Sequence, residues 1–144
     1  MKSVEILLVE DNAGDVLLTC EAFQEGMIAN HISVVEDGEQ AMLYLLRQAP
    51  FTNAVRPDIV LLDLNLPKKD GRQVLQEMKS EVSLRCIPVV ILTTSEAEAD
   101  VFKAYDNHAN CYIRKPVDLQ KFIDVVQKIE NFWLTIVKLP GGNL

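Results

Sequence analysis

Glu10-Asp11, Asp63, Thr93 and Lys115 each stand at or just past the end of a short apolar run: Ile6–Val9, Ile59–Leu62, Val89–Leu92 and Cys111–Ile113. If those runs are neighbouring strands, three carboxylates, a hydroxyl and an amine meet on one rim. Three carboxylates close together repel, and a hard divalent cation relieves that repulsion. Mg²⁺ prefers six oxygens and typically takes one or two carboxylates, several waters and phosphate oxygens. Asp11 and Asp63 are the expected direct ligands. Glu10 is expected to act directly or through water, and the chain reversal after Asp63 offers the backbone carbonyl of Asn65. Neither His nor Cys stands near these positions in the sequence, which disfavours zinc.

One of the carboxylates can also attack. Aspartate forms an aspartyl-phosphate on an activated phosphoryl donor. Phosphoryl transfer then needs charge neutralised on the equatorial oxygens. A bound cation would serve one oxygen, Lys115 a second and the Thr93 hydroxyl the third. Asp63, on a central strand, is the expected nucleophile. Each residue alone has an ordinary explanation: Asp11 or Asp15 as a helix cap, Thr93, Thr94 and Ser95 as caps, Lys115 as a solvated charge. Complementary groups at four separate strand ends make the joint reading the stronger one.

The elements that must position these groups are legible in the apolar pattern. Ile6–Val9, Ile59–Leu62 and Val89–Leu92 are continuous runs, as in parallel strands covered on both faces. Ile32–Val35 and Cys111–Ile113 complete five strand candidates. Helical stripes lie between them: Val16, Leu17, Cys20, Phe23 and Met27; Ala41, Met42, Leu45 and Leu46; Val74, Leu75 and Met78; Val101, Phe102 and Tyr105; Phe122, Val125, Val126 and Ile129. Turn signals separate the blocks at Asp37-Gly38, Arg56-Pro57-Asp58, Asp70-Gly71 and Ile87-Pro88. Alternating strands and helices imply an α/β fold, with a parallel sheet covered by helices on both faces. Ligands in such sheets sit beyond the carboxyl ends of the strands.

Composition narrows the class. The 144 residues suit one domain with a single core. With 49% hydrophobic and 24% charged residues the chain reads as globular. A net charge of −7 argues against nucleic acid and against an anionic membrane surface. No apolar run is long enough to span a membrane, and the first residues are not expected to act as a signal peptide. Cys20, Cys86 and Cys111 are widely spaced, with no C-x-x-C pair, so buried reduced thiols in a cytoplasmic protein are expected. His31 and His108 have no ligand partner at useful spacing and read as structural. Lys68-Lys69-Asp70 reads as a solvated turn.

LLVEDN (Leu7–Asn12), LLDLNLPKKDG (Leu61–Gly71), PVVILTTS (Pro88–Ser95) and YIRKP (Tyr112–Pro116) together resemble the receiver domain of two-component response regulators. The resemblance runs from about residue 4 to 130. It implies a CheY-like, flavodoxin-like, doubly wound sheet of five strands in the order 2-1-3-4-5, with five helices in three layers. It further implies that Asp63 is the phospho-acceptor, Glu10 and Asp11 the acidic Mg²⁺ pair, Thr93 the mobile hydroxyl, Lys115 its ion-pairing partner and Tyr112 the aromatic switch. The Lys115–Pro116 bond is expected to be cis. Three segments, NLPKKDGR, HANCYIRKP and NFWLTIVKLP, are similar to the small response regulators paired with cyanobacterial and bacterial phytochromes. A sensor histidine kinase is then the expected donor.

No output domain follows Pro140 in this sequence, so output by protein–protein contact with an unknown downstream protein is expected. Residues 1–144 read as one receiver domain, with 131–144 an apolar extension and tail. Phe132, Trp133, Leu134, Ile136, Val137 and Leu139 exceed what one helix face can bury. They favour a dimer or kinase contact, continuous with the face of the fourth helix, fifth strand and fifth helix. Thr94 follows the switch threonine where many receivers carry alanine, and Asn65 lies where a dephosphorylating water would approach. Rival classes fit less well. A haloacid-dehalogenase-like phosphohydrolase would carry D-x-D where this chain has Glu10-Asp11-Asn12. A flavodoxin-type carrier needs a hydroxyl-rich phosphate loop where this chain is acidic. A phosphate-independent scaffold would have no use for the intact acidic set.

Overall fold

A computed structural model describes residues 3–25, 29–93 and 111–114, together with Gln120 and Asp124; for 93 and 111–114 the description is of the backbone. The elements in order are β1 (Val4–Val9), α1 (Ala13–Glu25), β2 (Asn30–Val35), α2 (Gly38–Leu45), β3 (Ile59–Asp63), α3 (Gly71–Ser80), β4 (Val89–Thr93) and β5 (Cys111–Arg114). The strands form one sheet in the order β2-β1-β3-β4-β5. All pairings are parallel, with Leu8 opposite Val34 and Leu61, Leu62 opposite Ile91, and Leu92 opposite Ile113. The chain is therefore an α/β protein with a parallel sheet. The expected fourth and fifth helices, the C-terminal extension and the Lys115–Pro116 bond lie outside the described residues.

The two-residue alternation of a strand sends successive side chains to opposite faces. Leu7, Val9, Val60, Leu62, Val89 and Ile91 share a core with Ala41, Met42 and Leu45 of α2 and with Val74, Leu75 and Met78 of α3. Ile6, Leu8, Ile59, Leu61, Val90 and Leu92 share the other core with Phe23 of α1. β3 is buried along its whole length, as its continuous apolar run implies. Loops secure the edges of these layers. Asp58 donates its amide to the Glu5 carbonyl, and its carboxylate accepts the Glu5 amide at 2.9 Å. The Arg56 guanidinium donates to the Ser83 carbonyl.

Several expectations are corrected by the packing. In α1, Leu17 is 59% exposed; Thr19 and Ala22 are buried in its place, beside Phe23. Three consecutive apolar residues, Val16 to Leu18, surround more than one face of a helix, so spacing alone could not choose the inner one. Leu46 is the C-cap of α2 and is partly exposed. Cys86 is exposed, whereas Cys20 is half-buried, and that burial pushes its thiol pKa up. His31 agrees with its structural reading: its Nδ1 lies 3.1 Å from Glu5 Oε1, across the β1–β2 pair. No helix among the described residues is long and apolar enough to cross a membrane.

Candidate functional site

The carboxyl ends of β1 and β3 put the acidic residues side by side. Glu10 directly follows β1. Its amide donates to the Val35 carbonyl at 3.0 Å, which keeps it in line with the strand. Its side chain is buried, and Oε2 accepts the Asn12 amide at 3.2 Å. Asp11 is exposed. The cap of α1 is neither Asp11 nor Asp15: Asn12 Oδ1 accepts the Asp15 amide at 3.0 Å. An asparagine at this position satisfies one of the helix's orphan N–H groups and leaves the Asp11 carboxylate out of that task.

Asp63 is the last residue of β3 and is only 5% exposed. Its Oδ1 accepts the Asn65 amide at 3.1 Å. The following loop returns on itself: the Gly71 amide donates to the Leu64 carbonyl at 2.9 Å. A Cβ on Gly71 would lie 2.2 Å from the Asp63 carbonyl oxygen. Glycine at this point is therefore a requirement of close approach, beyond the turn signal seen in the sequence. Asp70 caps α3 with a full capping box: Gln73 donates its amide to the Asp70 side chain, and the Gln73 side chain accepts the Asp70 amide.

Glu10, Asp11 and Asp63 each offer a carboxylate oxygen, and these oxygens all lie within 4.8 Å of one another. Among the described residues this is the one group of three or more acidic, His or Cys side chains so arranged. A donor set made only of carboxylate oxygens fits a hard divalent cation such as Mg²⁺ or Mn²⁺ and suits zinc poorly. Asn65 is exposed, two residues beyond Asp63. Thr93 ends β4 on the same edge, with its backbone in register with Arg114. Tyr112 lies in β5 in register with Ile91. The side chains of Thr93 and Tyr112, and all of Lys115, lie outside the described residues.

The loop from Pro67 to Asp70 is also more structured than a solvated turn. Lys68 has φ 66° and its Nζ lies 3.7 Å from Asp37 Oδ2. Lys69 bonds Glu77 of α3 at 2.6 Å. Asp37 caps α2 by accepting the Gln40 amide at 2.7 Å. The sequence marked Asp37-Gly38 only as a turn. The contact between this turn and the loop after Asp63 spans about thirty residues of chain, and no local signal encodes it.

The model of the response regulator receiver domain family matches residues 6–127. Response regulator Rcp1 of Synechocystis sp. is 47% identical over 137 residues, covering 95% of this chain and 93% of that protein. The crystal structure of the phosphorylated cyanobacterial phytochrome response regulator RcpA superposes with a TM-score of 0.78 at 48% identity, over 97% of this chain and 100% of that one. The Mn²⁺-bound form of Rcp1 gives a TM-score of 0.76 at 46% identity, over 96% and 99%. Sequence match and structural likeness thus extend over nearly the same residues, and phytochrome response regulators stand among the neighbours: the chain belongs to the response regulator receiver domain family.

Proposed function

We propose that this chain is a stand-alone response regulator that accepts a phosphoryl group on Asp63 from a sensor histidine kinase of the phytochrome type. The observation that carries this reading is the convergence of Glu10, Asp11 and Asp63 within 4.8 Å at the carboxyl end of the central strand. The Asp63 carboxylate attacks the phosphorus of a phosphohistidine. A new P–O bond forms as the P–N bond breaks, and the imidazole leaves with the bonding pair. Mg²⁺ is the cation this reading implies; when bound, it supplies positive charge to the phosphoryl oxygens. Glu10, Asp11, Asp63 and the Asn65 carbonyl are the groups that would hold it.

Thr93 and Lys115 are proposed to meet the remaining phosphoryl oxygens, by hydroxyl donation and ion pairing. Drawing them in would reposition Tyr112 and the face of the fourth helix, β5 and the fifth helix. A local gain of charge thereby biases a two-state element. The same groups would assist both phosphorylation and dephosphorylation, within one receiver domain that completes the five-strand, five-helix arrangement. The reading places the protein in the cytoplasm, with a downstream protein and a second copy of the chain as contacts of the switched face. Truncation after Glu130 should weaken self-association in sedimentation; unchanged association would remove the dimer.

The acceptor assignment has a direct test. Incubation with Mg²⁺ and acetyl phosphate should add one phosphoryl group by intact-protein mass spectrometry, and Asp63→Asn should abolish the addition. Labelling that persists in Asp63→Asn would overturn it.

A further inference from the structure

The start of α2 touches the loop that follows Asp63 more closely than packing requires. A Cβ built on Gly38 would lie 1.8 Å from the Lys69 carbonyl oxygen, 2.7 Å from its carbon and 2.9 Å from Lys69 Cβ. Real Cβ atoms essentially never come within 3.0 Å of such atoms, so any side chain here must push the loop backbone or the helix start away. Next to it, Asp37 is buried, caps α2 through Oδ1 and faces Lys68 Nζ through Oδ2 at 3.7 Å. Lys68 stands in the left-handed region at φ 66°, so the loop turns sharply at the point of contact. The Lys69 amide donates to Pro67 at 2.8 Å, and the Leu64–Gly71 bond closes the loop at its base. A displacement at Lys69 is thus passed along a short, closed segment that contains Asn65, whose amide holds Asp63 Oδ1.

We propose that Gly38 and Asp37 are positioning residues that hold the 64–70 loop against α2 and thereby set the affinity of the Glu10–Asp11–Asp63 cluster for a divalent cation. This rests on the reading of that cluster as a cation site. Each acts through the loop. The helix contact fixes where the Asn65 backbone and the Asp63 carboxylate stand before any ion arrives. Groups that orient ligands in this way typically change metal affinity by about 10–100-fold when altered.

Calorimetric titration with Mg²⁺ at 25 °C tests this on the unsubstituted protein and on Gly38→Ala, Asp37→Asn and Phe23→Leu, with circular dichroism and thermal unfolding of each. Gly38→Ala is expected to raise Kd by about tenfold. Asp37→Asn keeps the cap, since asparagine caps as well as aspartate, but loses the charge opposite Lys68. It is expected to raise Kd by about threefold, the scale of an exposed ion pair. Phe23→Leu lowers stability from the core on the opposite face of the sheet, away from Leu64 and Leu66 of the loop, and should leave Kd unchanged. The backbone amide resonances of residues 64–66 and 68–70 should shift in cation-free Gly38→Ala. A Gly38→Ala protein that unfolds earlier yet binds Mg²⁺ within twofold of the unsubstituted chain would overturn the proposal and leave the site assignment standing. If Gly38→Ala does not fold, Asp37→Asn decides: a raised Kd supports the proposal and an unchanged one refutes it. An unsubstituted protein that takes up no Mg²⁺ would overturn the site assignment, and the proposal with it.

Discussion

α1 and α3 both leave the acidic rim within a few residues of a candidate ligand, α1 after Asp11 and α3 after the loop that follows Asp63. α3 is fixed at every point of that departure. It carries a two-way capping box, a glycine pressed on the Asp63 backbone, and Val74, Leu75 and Met78 with no exposed surface. α1 is held by a single asparagine cap and buries Thr19, Ala22 and Phe23, with Leu17 and Leu18 at 59% and 46% exposure. One helix is built into the core under the acceptor; the other keeps apolar side chains at the surface. The position of Asp63 therefore depends on α3 and its loop far more than on α1.

That contrast can be broken most plainly by truncating a side chain on each helix. Met78→Ala removes a fully buried side chain and should destabilise by about 2–5 kcal/mol in urea unfolding. Leu17→Ala removes one that is mostly in water and should change stability by about 0.5 kcal/mol at most. Comparable losses from the two would mean that α1 is packed as firmly as α3.

The glycines sharpen the comparison at the helix starts. A Cβ on Gly71 meets backbone at 2.2 Å, whereas a Cβ on Gly14 meets only the Asn12 side chain, at 3.2 Å. Gly71→Ala must displace Asp63 or Leu64 and should cost about 1–3 kcal/mol, the usual scale of overpacking. Gly14→Ala should fall within about 0.5 kcal/mol of the parent, because the helix-forming gain of alanine offsets the tight contact. Chemical denaturation of both variants at one pH measures the difference. A neutral Gly71→Ala would refute the close-approach argument.

These particulars also mark how far the sequence could be read. The strands were legible because continuous runs such as Ile59–Leu62 have few alternatives in a chain with turn signals on either side. The acidic cluster was legible because strand ends in a parallel sheet share a rim, so Glu10-Asp11 and Asp63 needed only the pairing of β1 with β3 to meet. The inner face of α1 was not legible, since Val16, Leu17 and Leu18 offer apolar groups in several directions. The cap of α1 was missed because Asp11, Asn12 and Asp15 are all competent acceptors, and only the backbone path selects Asn12. The roles of Gly38 and Gly71 were hidden for a different reason. Both meet backbone from segments distant in sequence, and nothing in the neighbouring residues reports that approach.

The smallest expected effect concerns two thiols on the two sides of the same comparison. Cys20 sits half-buried on α1, and desolvation lifts its pKa above the ordinary 9.0. Cys86 lies exposed in the segment after α3. Only the thiolate alkylates, and it must also be reached by the reagent. Iodoacetamide at pH 8 should therefore modify Cys86 before Cys20, as read by peptide mapping of the native protein. The rate at Cys20 should still be climbing with pH at pH 9, because desolvation keeps its thiolate the minor form below that point. A Cys20 that reacts as fast as Cys86, or whose rate levels off below pH 9, would mean that α1 lifts from the sheet in solution. In that case the looser helix, and not the acceptor loop beneath α3, would govern access to the rim.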